Sequence, residues 1–253
     1  GWFSDDTVIN EYSAGTLLNA DAEGNVTLRP SEHLVRQQIR IFRPGGGIVY
    51  YTGELLTVDR DFEVAWRYAG NPGDALGALI LGNSYRVISR YQDLSTDTLR
   101  QAGSSYPNWV VARDLQLPEG MPKRVFDLAL DLTATEPTPF DRALALETHL
   151  RTTYTYTLEL PPPPRNRDLV DYFLFDLKQG YCDYFASAMV VLARAAGMPA
   201  RLVTGYAGGE WDAEAGRITV KEKDAHAWAE IYFPTYGWIK FEPTAGRPAL
   251  ERR

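Results

Sequence analysis

Two hydrophobic periodicities divide the chain. Up to about residue 118 the apolar side chains fall in short runs or alternate with polar ones, as strands require. Such runs lie at residues 8–9, 26–28, 33–42, 48–51, 62–68, 76–81 and 85–91. Turn signals separate them, notably Pro44-Gly45-Gly46-Gly47 and Gly70-Asn71-Pro72-Gly73-Asp74. Short strands at this spacing predict a β-sandwich-like domain over residues 1–118. From residue 119 the repeat lengthens to the helical one. Val125, Leu128, Ala129 and Leu132 form one stripe, and Ala143, Leu146, Glu147 and Leu150 another. Thr138-Pro139-Phe140-Asp141 opens the second helix, with threonine as cap, proline at the first position and an acid near the cap. Asp168 caps a short helix carrying Val170, Phe173 and Leu174. Residues 154–158 read as a strand, and the four prolines at 161–164 as a stiff connector.

A third helical stripe, Phe185, Ala186, Met189, Val190 and Ala193, begins just after Cys182 and ends at Gly197-Met198-Pro199. Residues 224–233, rich in aromatic and branched side chains, predict a strand. Pro234-Thr235-Tyr236-Gly237 predicts a turn, and residues 238–242 a second strand. Helices followed by an antiparallel hairpin give residues 119–253 an α+β layout.

Composition narrows the function without naming it. The 253 residues are 45% hydrophobic, enough for one large or two ordinary domains. A net charge of −7 argues against a nucleic-acid partner, which needs a basic face. Three histidines and one cysteine, widely dispersed, give no zinc spacing, so neither a metal nor a cofactor is expected. Gly205-Tyr206-Ala207-Gly208-Gly209 lacks the Lys-Ser/Thr of a phosphate loop and reads as a mobile loop running to Gly216. His33 and His149 read as ordinary surface or packing residues. No apolar run approaches the ~18 residues that span a bilayer, and no signal peptide opens the chain.

The chemistry gathers at Cys182. A lone cysteine is on base rates a small buried hydrophobe. This one sits in the first turn of a helix, where unsatisfied N–H groups and the positive end of the dipole favour the nucleophilic thiolate. Downstream, His226 lies on one strand and Glu242 on the next. Thiolate, proton shuttle and orienting acid are the parts of a Cys-His-acid triad, which converge in space and not in sequence. Pairing Phe233 with Trp238 puts His226 and Glu242 on opposite faces, whereas a five-residue loop or a bulge puts them on the same face. Glu230 is the rival acid, but at strand rise it lies about 13 Å from His226 along the same strand.

Four blocks carry a resemblance: residues 182–189, residues 194–206, Asp224-Ala225-His226-Ala227-Trp228-Ala229-Glu230, and residues 237–244. In this order they resemble the transglutaminase-like superfamily, and within it the TgpA-like bacterial membrane proteins, over roughly residues 119–246. The resemblance implies a papain-like core with Cys182 as nucleophile, His226 as general base and acid, and Glu242 in the third position, where many relatives have aspartate. It implies acyl transfer on protein glutamine side chains, with protein or peptide substrates bearing glutamine and amine groups. A cysteine peptidase or amidase using the same triad, and a non-catalytic binding module, are the alternatives. It also implies an extracytoplasmic domain, a soluble piece of a membrane-embedded parent.

Overall fold

The structure, a computed structural model, describes residues 7–42, 47–67 and 75–252. Contacts divide the chain into two compact units between Leu94 and Ser95.

The first unit holds β1 (Val8–Tyr12), β2 (Glu32–Arg40), β3 (Glu54–Val58), β4 (Phe62–Trp66), β5 (Ala75–Ile80) and β6 (Ser84–Gln92). They form two antiparallel sheets of three strands, in the orders β1-β4-β5 and β2-β6-β3. Alternation along β4 turns Phe62, Val64 and Trp66 inward, and they join Leu55, Val58, Ile80, Tyr85 and Val87 in one buried cluster. Residues 26–28 lie outside the ladders, and of the run at 48–51 only Ile48 bridges to a strand, at Leu79. The turn residues 44–46 and 70–74, and Tyr68, lie outside the described residues. Strand β3 escapes the period-two pattern because residues 55–58 are all buried and so do not alternate.

The second unit holds α1 (Thr96–Arg100), α2 (Asn108–Asp114), α3 (Lys123–Thr133), α4 (Pro139–Thr153), β7 (Thr155–Tyr156) and α5 (Leu169–Tyr172), which runs into a π-helical turn at Phe173–Leu177. It continues through β8 (Gln179–Gly180), α6 (Cys182–Ala195), β9 (Ala200–Tyr206), β10 (Glu210–Asp212), β11 (Arg217–Thr219), β12 (Ala225–Phe233) and β13 (Gly237–Phe241). The break at Leu94/Ser95 replaces the boundary at residue 118 expected from sequence. Residues 95–118 contain two short helices that pack on the second unit. The Trp109 ring meets Tyr232 edge-on at 5.9 Å, and Arg194 donates to the Gln116 carbonyl at 2.7 Å and pairs with buried Asp114 at 3.6 Å. Branched and aromatic residues in Trp109-Val110-Val111 suit strands as well as helices, and neither helix is long enough to show a full stripe.

The core of this unit is the antiparallel sheet β13-β12-β9 with α6 against one face. Ala227, Ala229, Ile231 and Phe233 of β12 point to that face and are buried with Phe185, Ala186, Met189, Val190 and Ala193 of α6. Helix α4 packs against α6, the four residues of its expected stripe are buried, and Phe140 joins Phe233 and Phe241 in a cluster with centroids 6.2 Å apart. Thr138 caps α4 by accepting the Asp141 N–H, worth about 1 kcal/mol. The segment read as a mobile loop is instead the hairpin β10–β11. Among the described residues no helix is long and apolar enough to cross a membrane.

Candidate active site

Cys182 is the first residue of α6. Gly180 lets the chain enter the helix at close quarters, since a Cβ there would lie 2.8 Å from the Tyr184 Cβ and 3.3 Å from the Phe173 ring. The capping residue Tyr181 contributes no side-chain hydrogen bond to the helix start. The half-buried thiol donates weakly to Asp183 Oδ1 at 3.6 Å.

His226 stands one residue into β12, opposite Gly205 of β9. A Cβ at position 205 would lie 3.0 Å from the Trp228 ring, so glycine leaves room for that indole, which stacks on the His226 ring at 6.3 Å. The β12–β13 register answers the question left open by sequence. Phe233 pairs with Gly237, not Trp238, so three residues connect the strands. Continued past Phe241, that register sets Glu242 opposite Trp228, on the face that carries His226.

His226 Nε2 lies 2.7 Å from Glu242 Oε2, and both side chains are buried. Glu242 Oε1 accepts the Thr244 N–H at 3.2 Å. The other ring nitrogen, Nδ1, is buried with no partner in good hydrogen-bond geometry. Burial pushes the imidazole pKa down, but the nearby Cys182 thiol and the Glu242 carboxylate outweigh it, so His226 lies above its ordinary value. Burial pushes Glu242 up, yet its bonds from His226 and Thr244 hold it below the usual carboxylate range. Each group thus favours the charged form of the other.

The rival acid is otherwise engaged. Glu230 Oε2 takes the Arg201 guanidinium at 2.7 and 2.8 Å, and Arg201 in turn lies over the Trp238 ring at 4.3 Å. Thus the structure brings Cys182, His226 and Glu242 together and leaves Glu230 in an ion pair. His149 is half-buried beside Tyr154, and His33 lies exposed on β2. Among the described residues no cluster of three or more His, Cys, Asp or Glu could hold a metal ion.

Sequence reasoning missed what holds Glu242 from behind. Its backbone N–H donates to Glu147 Oε1 at 2.7 Å, and its carbonyl accepts from Arg151 at 2.8 Å. The signal was present: Glu147 is a carboxylate inside the apolar stripe of α4, where a charge needs a partner.

Residues 127–243 match the family model of the transglutaminase-like superfamily. The chain is 48% identical over 141 residues to the uncharacterized protein YebA of Bacillus subtilis, a match covering 53% of this chain and 19% of that protein. It is 41% identical over 133 residues to a protein-glutamine gamma-glutamyltransferase of Pseudomonas aeruginosa, covering 52% of this chain and 20% of that one. The matched part thus spans about one fifth of each curated relative. The crystal structure of the periplasmic domain of TgpA from Pseudomonas aeruginosa superposes with a TM-score of 0.64 at 27% identity, covering 85% of this chain and 73% of that one.

Proposed function

This chain carries a domain of the transglutaminase-like superfamily over residues 127–243, and from that premise we propose that it is a cysteine-dependent acyltransferase acting on protein glutamine side chains. The observation that carries the reading is the buried 2.7 Å contact of His226 with Glu242 beside the Cys182 thiol. The 41% identity to a protein-glutamine gamma-glutamyltransferase supports the choice of substrate.

The Cys182 thiolate attacks the carboxamide carbon of a glutamine, and the oxyanion of the tetrahedral adduct is met by the Cys182 backbone N–H at the helix start. His226, protonated and held by Glu242, gives its proton to the departing nitrogen, and ammonia leaves a thioester on Cys182. A lysine amine then attacks the thioester while His226 takes up its proton. The thiolate departs, and an isopeptide bond remains. Water in place of the amine yields glutamate. The partners are proteins or peptides bearing glutamine and amine groups, and no cofactor enters any step. Likeness to a periplasmic domain supports an extracytoplasmic placement, and a longer, membrane-embedded parent is part of the same proposal.

The test offers a glutamine-bearing protein with a labelled primary amine and follows three products. Amine incorporation with stoichiometric ammonia release, abolished by Cys182→Ala, is the expected result. New peptide termini without incorporation would identify a cysteine peptidase, ammonia release without incorporation an amidase, and no product at all a binding module.

A further inference from the structure

Glu242 carries out its proposed role from a buried position just outside the sheet ladder. It lies one residue beyond β13, past the last ladder pair at Phe241, so the sheet does not fix its backbone. A glutamate also has three side-chain torsions to hold if its carboxylate is to stay on the histidine. Helix α4 takes over where the ladder stops. Glu147 and Arg151 are four residues apart and therefore share one face of that helix. Glu147 Oε1 accepts the Glu242 N–H at 2.7 Å. Arg151 Nη1 donates to the carbonyls of Glu242 at 2.8 Å and Thr244 at 3.2 Å, and Nη2 donates to the Arg247 carbonyl at 2.6 Å. Arg252 holds Glu147 in turn, donating to Oε2 at 2.9 Å, to Oε1 at 3.3 Å and to the Lys240 carbonyl at 3.1 Å while lying over the Phe241 ring at 4.5 Å. Both backbone polar groups of Glu242 are thus held by charged side chains of one helix.

We propose that Glu147 and Arg151 are positioning residues for the active site: they grip the backbone at Glu242 and so press its carboxylate onto His226 Nε2. This rests on the reading of Glu242 as the group that orients His226. A planar guanidinium suits the task because its rigid fork reaches three carbonyls from two separate nitrogens, whereas an ammonium offers its donors from a single one.

A double-mutant cycle separates positioning from mere support. Activity against pH, iodoacetamide alkylation of Cys182 against pH, and thermal melting are measured on the full chain for Arg151→Met, Arg151→Lys, Glu242→Gln and the Arg151→Met/Glu242→Gln double variant. Misplacement of a catalytic group by about 1 Å costs about 10²-fold. Arg151→Met should therefore lower kcat tenfold to hundredfold with KM little changed. It should also move the alkaline limb of the activity profile to lower pH, because a loosened carboxylate no longer raises the His226 pKa, and should lower the alkylation rate near neutral pH, where a weaker imidazolium supports less thiolate. Arg151→Lys should recover part of both effects. In the Glu242→Gln background, Arg151→Met should lower kcat no further. A lower melting temperature with unchanged kcat and pH profile would overturn the proposal, as would full additivity in the cycle. Should Arg151→Met not fold, Glu147→Gln takes its place, keeping an acceptor for the Glu242 N–H while weakening the grip of Arg252. If Glu242→Gln itself leaves kcat untouched, the triad reading fails instead.

Discussion

His226 meets Glu242 through Nε2 at 2.7 Å and keeps a buried Nδ1 with no partner in good hydrogen-bond geometry, which the proposed mechanism uses for proton exchange at Cys182. Glu242→Gln should lower turnover on the order of 10²-fold or more, the scale of a mispositioned general acid–base. Glu230→Gln should do far less, because that carboxylate is spent on Arg201. Steady-state kinetics of the two variants checks the ranking, and the reverse order would transfer the third role to Glu230. The pair also leaves a trace in stability. His226 is raised above its ordinary 6.5, so its contribution is complete below that pH and fades as pH rises through the shifted value. Glu242 is lowered from 4.5, so its contribution is complete above that pH and fades as pH falls through the shifted value. Both are present together between pH 4.5 and 6.5. The melting-temperature gap between the wild-type chain and Glu242→Gln should be widest in that window, and a gap independent of pH would contradict it. Cys182 and His226 were legible as residues because the chain has one cysteine and three histidines, and Glu242, one of 33 acidic residues, was legible through the block at 237–244 that carries the resemblance. Their shared face was not. It turns on whether Gly237 closes the turn or opens the strand, a one-residue matter that alternation alone leaves open.

Among the elements, strand β12 does two jobs. Its inner residues pack on α6 and its outer residues carry the site, so packing defects at the sheet edge reach the chemistry. Phe241, fully buried between Phe140, Phe233 and the Arg252 guanidinium, immediately precedes Glu242. Phe241→Ala should destabilise by about 3–5 kcal/mol, read as a shifted denaturant midpoint. Loss of activity should also exceed the unfolded fraction, because Glu242 shifts with its neighbour. Gly205→Ala tests the opposite side. The added methyl, 3.0 Å from the Trp228 ring, should displace that indole from His226 and lower activity more than stability. The long elements were read correctly where burial follows a stripe or alternates, as in α3, α4 and β12, and α6 was read through its apolar stripe although residues 188–193 are all buried. The reading failed where that pattern is missing: β3 is buried on both faces, α1 and α2 are too short for a period, and β10–β11 carries exposed Trp211 and Ile218 in place of a loop's polar residues.

For the molecule as a whole, the unit boundary decides which part stands alone. A chain beginning at Ser95 should melt cooperatively. One beginning at Glu119 loses Trp109 from Tyr232 and the Gln116 and Asp114 partners of Arg194, and should melt well below it. Equal melting temperatures would place the boundary at 118 after all. The central claim, a thioester on Cys182 formed with loss of ammonia, is tested most directly by intact mass. The chain is mixed with a glutamine peptide lacking amines, quenched in acid and weighed. The account predicts an adduct on Cys182 equal to the peptide less one ammonia, absent in Cys182→Ala and slow to form in Glu242→Gln. An adduct equal to only the N-terminal part of the peptide, or no adduct at all, would contradict it.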